Sequence, residues 1–266
     1  MTSLLGFLKP SSAPRIHPFT LSDSYIHRFP NLNSLNVRNR HFRDDKLIFN
    51  KALHQYMVNN TAYTSVTSQI AKAFPEFNAV ECLQDIRSRD AEKLQRGVKL
   101  SKYAELSDSA VFQSWEDSRI HGHKMHELFE LTILKDASFA KKELEKEYQE
   151  EHQMFLSFLA DNSNLIPYRT EWRIFDEKLK IAGTVDVVFK DEQNKFYIFD
   201  WKRVNNLYFN LEKYNLQLNM YKYILEKNYD IKIDKMSLVV IHPDLSKGKY
   251  VKRYVPHQEN IVEYMD

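Results

Sequence analysis

Cysteine is nearly absent from this 266-residue chain, which carries only Cys82. A single thiol excludes a disulfide framework, a cysteine-ligated zinc site and a four-cysteine iron–sulfur cluster. Glycine is almost as scarce: Gly6, Gly97, Gly122, Gly183 and Gly248 are the five, and no two are close together. Phosphate-cradling Walker loops and dinucleotide fingerprints need clustered glycines so that backbone amides can approach the phosphates. ATPase, kinase and dehydrogenase chemistries are therefore poor fits. No long apolar run is present and the mean hydropathy is −0.55, which excludes a transmembrane helix and predicts no membrane partner. An excess of either charge is also missing. The 38 basic residues stand against 36 acidic ones, and a net charge of +2 argues against nucleic-acid binding by bulk charge while leaving room for a local basic groove.

Hydrophobic residues make up 43% of the chain and aromatics 13%, enough for the core of one large domain. Residues 1–43 contain six Lys or Arg and a single acid, Asp23. Pro10, Pro14, Pro18 and Pro30 interrupt this stretch, so it reads as a basic, acid-poor arm. Its composition also suits a targeting segment, whereas the apolar stretch Leu4–Leu8 is too short for a secretory signal. The expected setting is intracellular (nucleus, cytoplasm or mitochondrion, or a virus-infected cell) and not secreted. Residues 44–266 read as one domain.

The spacing of Leu47, Ile48, Ala52, Leu53 and Tyr56 predicts a helix over Asp44–Met57. The Ser/Thr cluster at 64–68 signals the cap of a further helix. Residues 79–118 read as helical with Trp115 as a core anchor. A long charged helix is predicted to open at His121 and run to about Ala160, making 79–160 a helical insertion. His121, His123 and His126 lack the spacing of a histidine zinc site, so a ligand role for His126 needs support from elsewhere.

Arg169–Phe175, Leu179–Phe189 and Lys195–Lys202 alternate and are rich in Val, Ile and aromatic residues, which predicts three strands. The short turn at 191–195 makes the last two antiparallel neighbours. Asp200 and Lys202, two apart, leave one face of their strand, and Trp201 leaves the other toward a core. Asp186 sits in the preceding apolar strand, where a carboxylate is costly unless it binds something. Two acids from adjacent strands with a lysine beside one make a hard-cation site of the kind used for phosphodiester hydrolysis. Leu211–Tyr229 reads as an amphipathic helix with Gln217 and Tyr221 on one face. Strands at Ser237–His242 and Lys249–Val255 follow. Helices, three strands, a helix and two strands predict an α/β mixed sheet flanked by helices, with a helical N-terminal half.

In this order the residues resemble the PD-(D/E)XK nuclease superfamily, most closely its RecB-like branch, which includes mitochondrial genome maintenance exonucleases and related proteins of large DNA viruses. The matching pieces are Tyr63-Thr-Ser-Val-Thr67, Gly122-x-x-x-His126, Glu171, Gly183-Thr-Val-Asp186, Asp200-Trp-Lys202 and Gln217-x-x-x-Tyr221, spanning roughly 60–245. The resemblance implies a restriction-endonuclease-like sheet and Mg²⁺ or Mn²⁺ held by Asp186, Asp200 and the Trp201 carbonyl, with His126 completing or supporting the site. It implies that Lys202 serves the attacking water and that Gln217 and Tyr221 position Lys202 or a phosphate. Ser65, Thr67 and Glu171 become groove residues. Arg203, beside Lys202, is a candidate for the same groove. Some RecB-like relatives carry an iron–sulfur cluster, which this chain cannot.

The function expected on this basis is a metal-dependent DNA exonuclease acting on single-stranded ends in replication, repair or recombination. A helicase or polymerase partner would be a separate chain. The alternatives are an endonuclease of the same fold cutting RNA or branched DNA, and a non-enzymatic nucleic-acid-binding module.

Overall fold

Three segments of alternating residues dominate the second half of the chain, and each forms a strand: β4 (Ile166–Asp176), β5 (Ile181–Lys190) and β6 (Phe196–Lys202). The structure, a computed structural model, describes residues 35–50, 52–245 and 248–265. The first 34 residues of the expected N-terminal arm lie outside the described residues. Asp191 turns the chain between β5 and β6: its carboxylate accepts from the Lys195 amide at 2.9 Å, and Asn194 takes a φ of 58°. The two strands are antiparallel neighbours, as the short turn requires.

The N-terminal part departs from the helical expectation. Asp44–Lys46 makes a single 3₁₀ turn, and β1 (Leu47–Asn50), β2 (Gln55–Val58) and β3 (Thr61–Ser65) follow as an antiparallel meander. The cause lies in the turns. Asn50 Oδ1 accepts from the Ala52 and Leu53 amides, and His54 adopts a φ of 47°. Asn59 and Asn60 both have positive φ, 48° and 63°, the two-residue geometry that matches strand twist and that Asn tolerates. These local bonds outweigh an apolar spacing that also fitted a helix.

Helices α1 (Val66–Ala71), α2 (Ala79–Gln95), α3 (Asp108–Ile133), α4 (Phe139–Glu147) and α5 (Gln149–Asp161) come next. The predicted helix over 79–118 is broken at Gly97. Gly97 takes a φ of 62°, while the Val98 amide donates back to the Lys93 carbonyl, a left-handed cap that only glycine adopts freely. Ser107 then caps α3, so His121 lies well inside a helix and does not open one. The stretch expected to run unbroken to Ala160 is three helices, interrupted after Ile133 and at Tyr148. Trp115 is half-buried in a small aromatic cluster with Phe77, Tyr103 and Phe112 and does not anchor the main core. After β6 come a 3₁₀ turn (Leu207–Asn210), α6 (Leu211–Asn228), β7 (Ile233–Val240) and β8 (Val251–Val255).

The fold is mixed α/β: an eight-stranded sheet ordered β1-β2-β3-β5-β6-β7-β8, with β4 paired to β5. Its two faces carry separate cores. On one, α1 and α6 bury Val66, Leu218 and Ile224 against Trp172, Val185 and Ile198. On the other, α3 and α5 stack Phe129 on Phe155 at 4.0 Å, and both meet the Trp201 ring edge-on. Among the described residues, no helix is long and apolar enough to cross a membrane.

One detail of register places the site. Strand β4 covers one edge of β5 along nearly its whole length, and the other edge is shared. Parallel β3 pairs with Ile181 and Ala182, and antiparallel β6 pairs with Val187–Lys190. Between them, residues 183–186 sit in a fork where β3 and β6 diverge. Backbone groups in such a gap need other partners, and side chains enter to supply them.

Candidate metal and catalytic site

Asp186 closes the fork. Its Oδ2 accepts the Trp201 amide at 2.8 Å, doing across the gap what a ladder bond would do if β5 and β6 stayed paired. The β4–β5 register, Thr170 with Val187 and Trp172 with Val185, sets Glu171 opposite Asp186. Glu171 holds a φ of 44° in mid-strand, a conformation costing a non-glycine residue about 1 kcal/mol or more. From the opposite face, α3 delivers His126: Nε2 stands 2.9 Å from the Trp201 carbonyl oxygen and Nδ1 3.5 Å from Asp186 Oδ2. One ligand atom from each of His126, Glu171 and Asp186 lies within 4.8 Å of the other two.

Asp200 is 1% exposed. Lys202 Nζ stands 2.7 Å from its Oδ2, yet neither carboxylate oxygen has a well-aligned hydrogen bond. Burial pushes the Asp200 carboxyl up to about 6 against the pull of Lys202, with the Asp186 charge adding to the rise. Burial works in the opposite sense on Lys202, but the Asp200 and Asp186 charges outweigh it and raise its pKa, so the side chain stays an ammonium. Such a pair normally needs further partners to offset its desolvation. Lys202 Nζ donates to Gln217 Oε1 at 3.1 Å, and Gln217 Nε2 donates to the Tyr221 hydroxyl at 3.0 Å. The Tyr214 ring lies 4.5 Å from Nζ. Tyr214, Gln217 and Tyr221 form one stripe of α6 at i, i+3 and i+7.

Gly183 makes this relay possible. A Cβ there would stand 2.6 Å from Tyr221 Cε1 and 3.1 Å from Val66 Cγ2. Its lack of a side chain lets Tyr221 lie against the strand.

The cluster of two carboxylates and one imidazole, all oxygen or nitrogen donors, suits a hard or borderline divalent cation; Asp200 stands outside this cluster, paired with Lys202. Asp200 Oδ1 is buried without a partner, while Oδ2 faces the Lys202 ammonium; an unpartnered oxygen is what a buried carboxylate shows when its natural partner is a cation. His126 Nε2 donates to the Trp201 carbonyl at 2.9 Å, which leaves Nδ1, 3.5 Å from Asp186 Oδ2, as the ring nitrogen that would hold a cation.

The structure brings Asp186, Asp200, Trp201, Lys202, His126, Gln217 and Tyr221 together. Glu171, expected as a groove residue, joins the cation-ligand cluster instead. Arg203 is not in the fork. Its guanidinium is tied to buried Glu151 of α5, with Nε 2.9 Å and one terminal nitrogen 2.8 Å from Oε1. Ser65 caps α1, accepting the Ser68 amide at 2.9 Å and exchanging hydrogen bonds with Thr67 and Ser68 hydroxyls, which accounts for the Ser/Thr cluster without a substrate. Sequence reasoning missed Tyr214, although it sits three residues before Gln217, and it missed the 2.9 Å hydrogen bond between the Tyr56 and Thr184 hydroxyls inside the fork.

No protein-family model matches the chain, and no curated protein matches it. Among solved structures it is similar to one described as the crystal structure of SSO0001, at 15% identity and a TM-score of 0.29, over 55% of this chain and 66% of that one. A likeness of that size carries no argument.

Proposed function

We propose that this protein is a divalent-cation-dependent nuclease that hydrolyses phosphodiester bonds of DNA, acting as an exonuclease on single-stranded ends. The observation that carries the reading is the cluster of Asp186, Glu171 and His126 at one fork of the sheet, with the buried Asp200–Lys202 pair on the adjoining strand. It agrees with the resemblance to RecB-like PD-(D/E)XK nucleases read from the sequence.

Asp186, Asp200, Glu171, His126 and the Trp201 carbonyl would hold Mg²⁺ or Mn²⁺. When bound, the ion supplies Lewis acidity toward a phosphate oxygen and a lowered pKa for water. The protein's own groups do the rest. Lys202, kept charged by Asp200 and Asp186, orients the attacking water and offsets the negative charge that grows on the phosphoryl oxygens; an ammonium cannot take the water's proton. Gln217 holds Lys202 by its amide oxygen, and Tyr221 holds Gln217. The Trp201 ring, fixed among Phe129, Phe155 and Phe158, locks the strand that carries Asp200 and Lys202.

The reading of action at free ends rests on α3, which carries both His126 and Trp115, about 16 Å apart along the helix axis, with the aromatic cluster of Phe77, Tyr103, Phe112 and Trp115 at its outer end. Work on DNA ends implies an intracellular setting, with any unwinding or polymerising activity on a separate chain. The test is digestion of end-labelled linear and of circular single-stranded DNA with Mg²⁺ or Mn²⁺. Cleavage confined to the linear substrate supports the exonuclease reading. Equal cleavage of circles replaces it with an endonuclease of the same site, and binding without cleavage of either substrate replaces it with a binding module.

A further inference from the structure

Immediately beyond Lys202 the chain leaves the sheet and exposes two large aromatic rings. Tyr208 is 74% exposed and Phe209 75%. They sit on the 3₁₀ turn Leu207–Asn210, whose start is fixed by Asn206 Oδ1 accepting the Tyr208 amide at 3.1 Å. The turn is itself anchored by Leu207, which is buried in the main core. The rings are therefore displayed on a rigid base.

Beside them lies a cavity of about 350 Å³ at the carboxyl ends of the parallel strands β6 and β7, within the size range of small-ligand sites. Its walls include Asn206, Tyr208, Val240, Leu245, Val251 and Arg253. Crevices outside the carboxyl ends of strands are where open α/β sheets bind ligands. The cavity is continuous with the catalytic strand: Val240 is the register partner of Lys202, and the Ile241 amide donates to the Lys202 carbonyl at 2.9 Å. The Arg253 guanidinium stands 5.2 Å from the Tyr208 ring centroid, and among the described residues it forms no ion pair.

An exposed aromatic ring six residues beyond Lys202, a guanidinium beside it with no ion pair among the described residues, and an apolar slot match one kind of occupant. We propose that this cavity binds an unpaired nucleotide of the substrate strand, its base stacked on Tyr208 and its phosphate facing Arg253, while exposed Phe209, outside the cavity wall, extends the platform toward the next base. Base stacking on aromatic side chains tolerates any base but needs the face that pairing and stacking hide in a duplex. The inference rests on the nuclease reading and deepens it: single-strand preference comes from this platform, and recognition is independent of sequence. A protein partner bringing a carboxylate to Arg253 is the alternative occupant, and DNA binding would then be indifferent to every abasic position.

The experiment is equilibrium binding of the full chain to a dye-labelled single-stranded oligonucleotide in EDTA, followed by fluorescence anisotropy. The double variant Tyr208→Ala/Phe209→Ala should bind at least about fivefold more weakly, the low end of what one stacked base contributes. Both side chains are exposed, so an unchanged melting temperature is expected. Tyr208→Phe/Phe209→Tyr, which keeps the rings, should bind as the wild type does. An abasic position scanned along the oligonucleotide should weaken wild-type binding at one or two places and leave the double alanine variant indifferent. Arg253→Ala should lower the slope of log affinity against log salt by about 0.7, the share of one single-strand phosphate. Unchanged affinity in the double variant, or wild-type indifference to every abasic position, overturns the platform while leaving the nuclease reading intact if the wild type still cuts DNA with Mn²⁺. A wild-type chain that neither binds nor cuts DNA overturns both.

Discussion

Tyr221 lies so close to Gly183 that a Cβ on the glycine would stand 2.6 Å from the tyrosine Cε1. The glycine is required for this contact and not for its φ, which is unremarkable. Through Tyr221 and Gln217 the contact sets the position of Lys202, which links a bare spot on β5 to the chemistry on β6. Gly183→Ala is expected to lower stability by about 1–3 kcal/mol, the usual range for overpacking, and to reduce turnover by displacing the relay. Urea denaturation and steady-state kinetics check both. Adding Tyr221→Leu should recover most of the stability and none of the turnover.

Glu171 offers a separable test of the cation cluster. Its φ of 44° is one that glycine adopts freely. Relief of this φ offsets the chain entropy that glycine adds, so Glu171→Gly should leave the melting temperature of the cation-free protein nearly unchanged while weakening Mn²⁺ binding about tenfold or more, measured by calorimetry. A variant that loses stability and keeps its Mn²⁺ affinity would place Glu171 outside the cluster.

The raised Asp200 carboxyl fixes a pH dependence. Its folded value of about 6 lies above the ordinary 3.8, so the folded state holds its proton more tightly than the unfolded chain. In cation-free protein the stability tied to this group is present below pH 4 and lost as pH rises through 6. A cation needs the ionised form. The rise in melting temperature given by Mg²⁺ should thus be small at pH 5 and grow through pH 6 to 7, as read by differential scanning fluorimetry. A Mg²⁺ effect that is flat across this range contradicts the assignment of Asp200 as a ligand.

Arg203 belongs to the scaffold. Its removal leaves Glu151, 4% exposed, without its charged partner. Arg203→Ala should cost about 3–5 kcal/mol of stability. At a temperature where the variant remains folded, its affinity for single-stranded DNA should match the wild type's.

Much of this was legible in the sequence where local signals agree with tertiary context. The strands carrying Asp186, Asp200 and Lys202 alternate with period two and are joined by an Asp-initiated turn, so their pairing and the face shared by Asp200 and Lys202 follow from spacing. Residues 44–57 misled because Leu47, Ile48, Leu53 and Tyr56 fit a helical period, while the deciding signal, Asn59-Asn60 with the Asn50 turn, is only two short clusters. The start of α3 is not legible in the sequence because its first turns carry almost no buried residues, and Ser107, its cap, precedes no strong apolar period. Glu171 was seen on its strand but not as a ligand, since meeting Asp186 depends on the β4–β5 register, which spacing alone does not supply. The lock on Arg203 arises from contact with α5, 52 positions away, and no local pattern encodes it.

The most direct measurement is the rate of digestion of end-labelled single-stranded DNA by chelator-treated protein, with and without added Mn²⁺, for the wild type and for Asp186→Ala side by side. No cutting is expected in EDTA, full recovery is expected for the wild type on adding Mn²⁺, and no measurable recovery is expected for Asp186→Ala although its fold is retained. Cutting by the wild type that persists in EDTA, or an Asp186→Ala variant that matches the wild type in Mn²⁺, would contradict it.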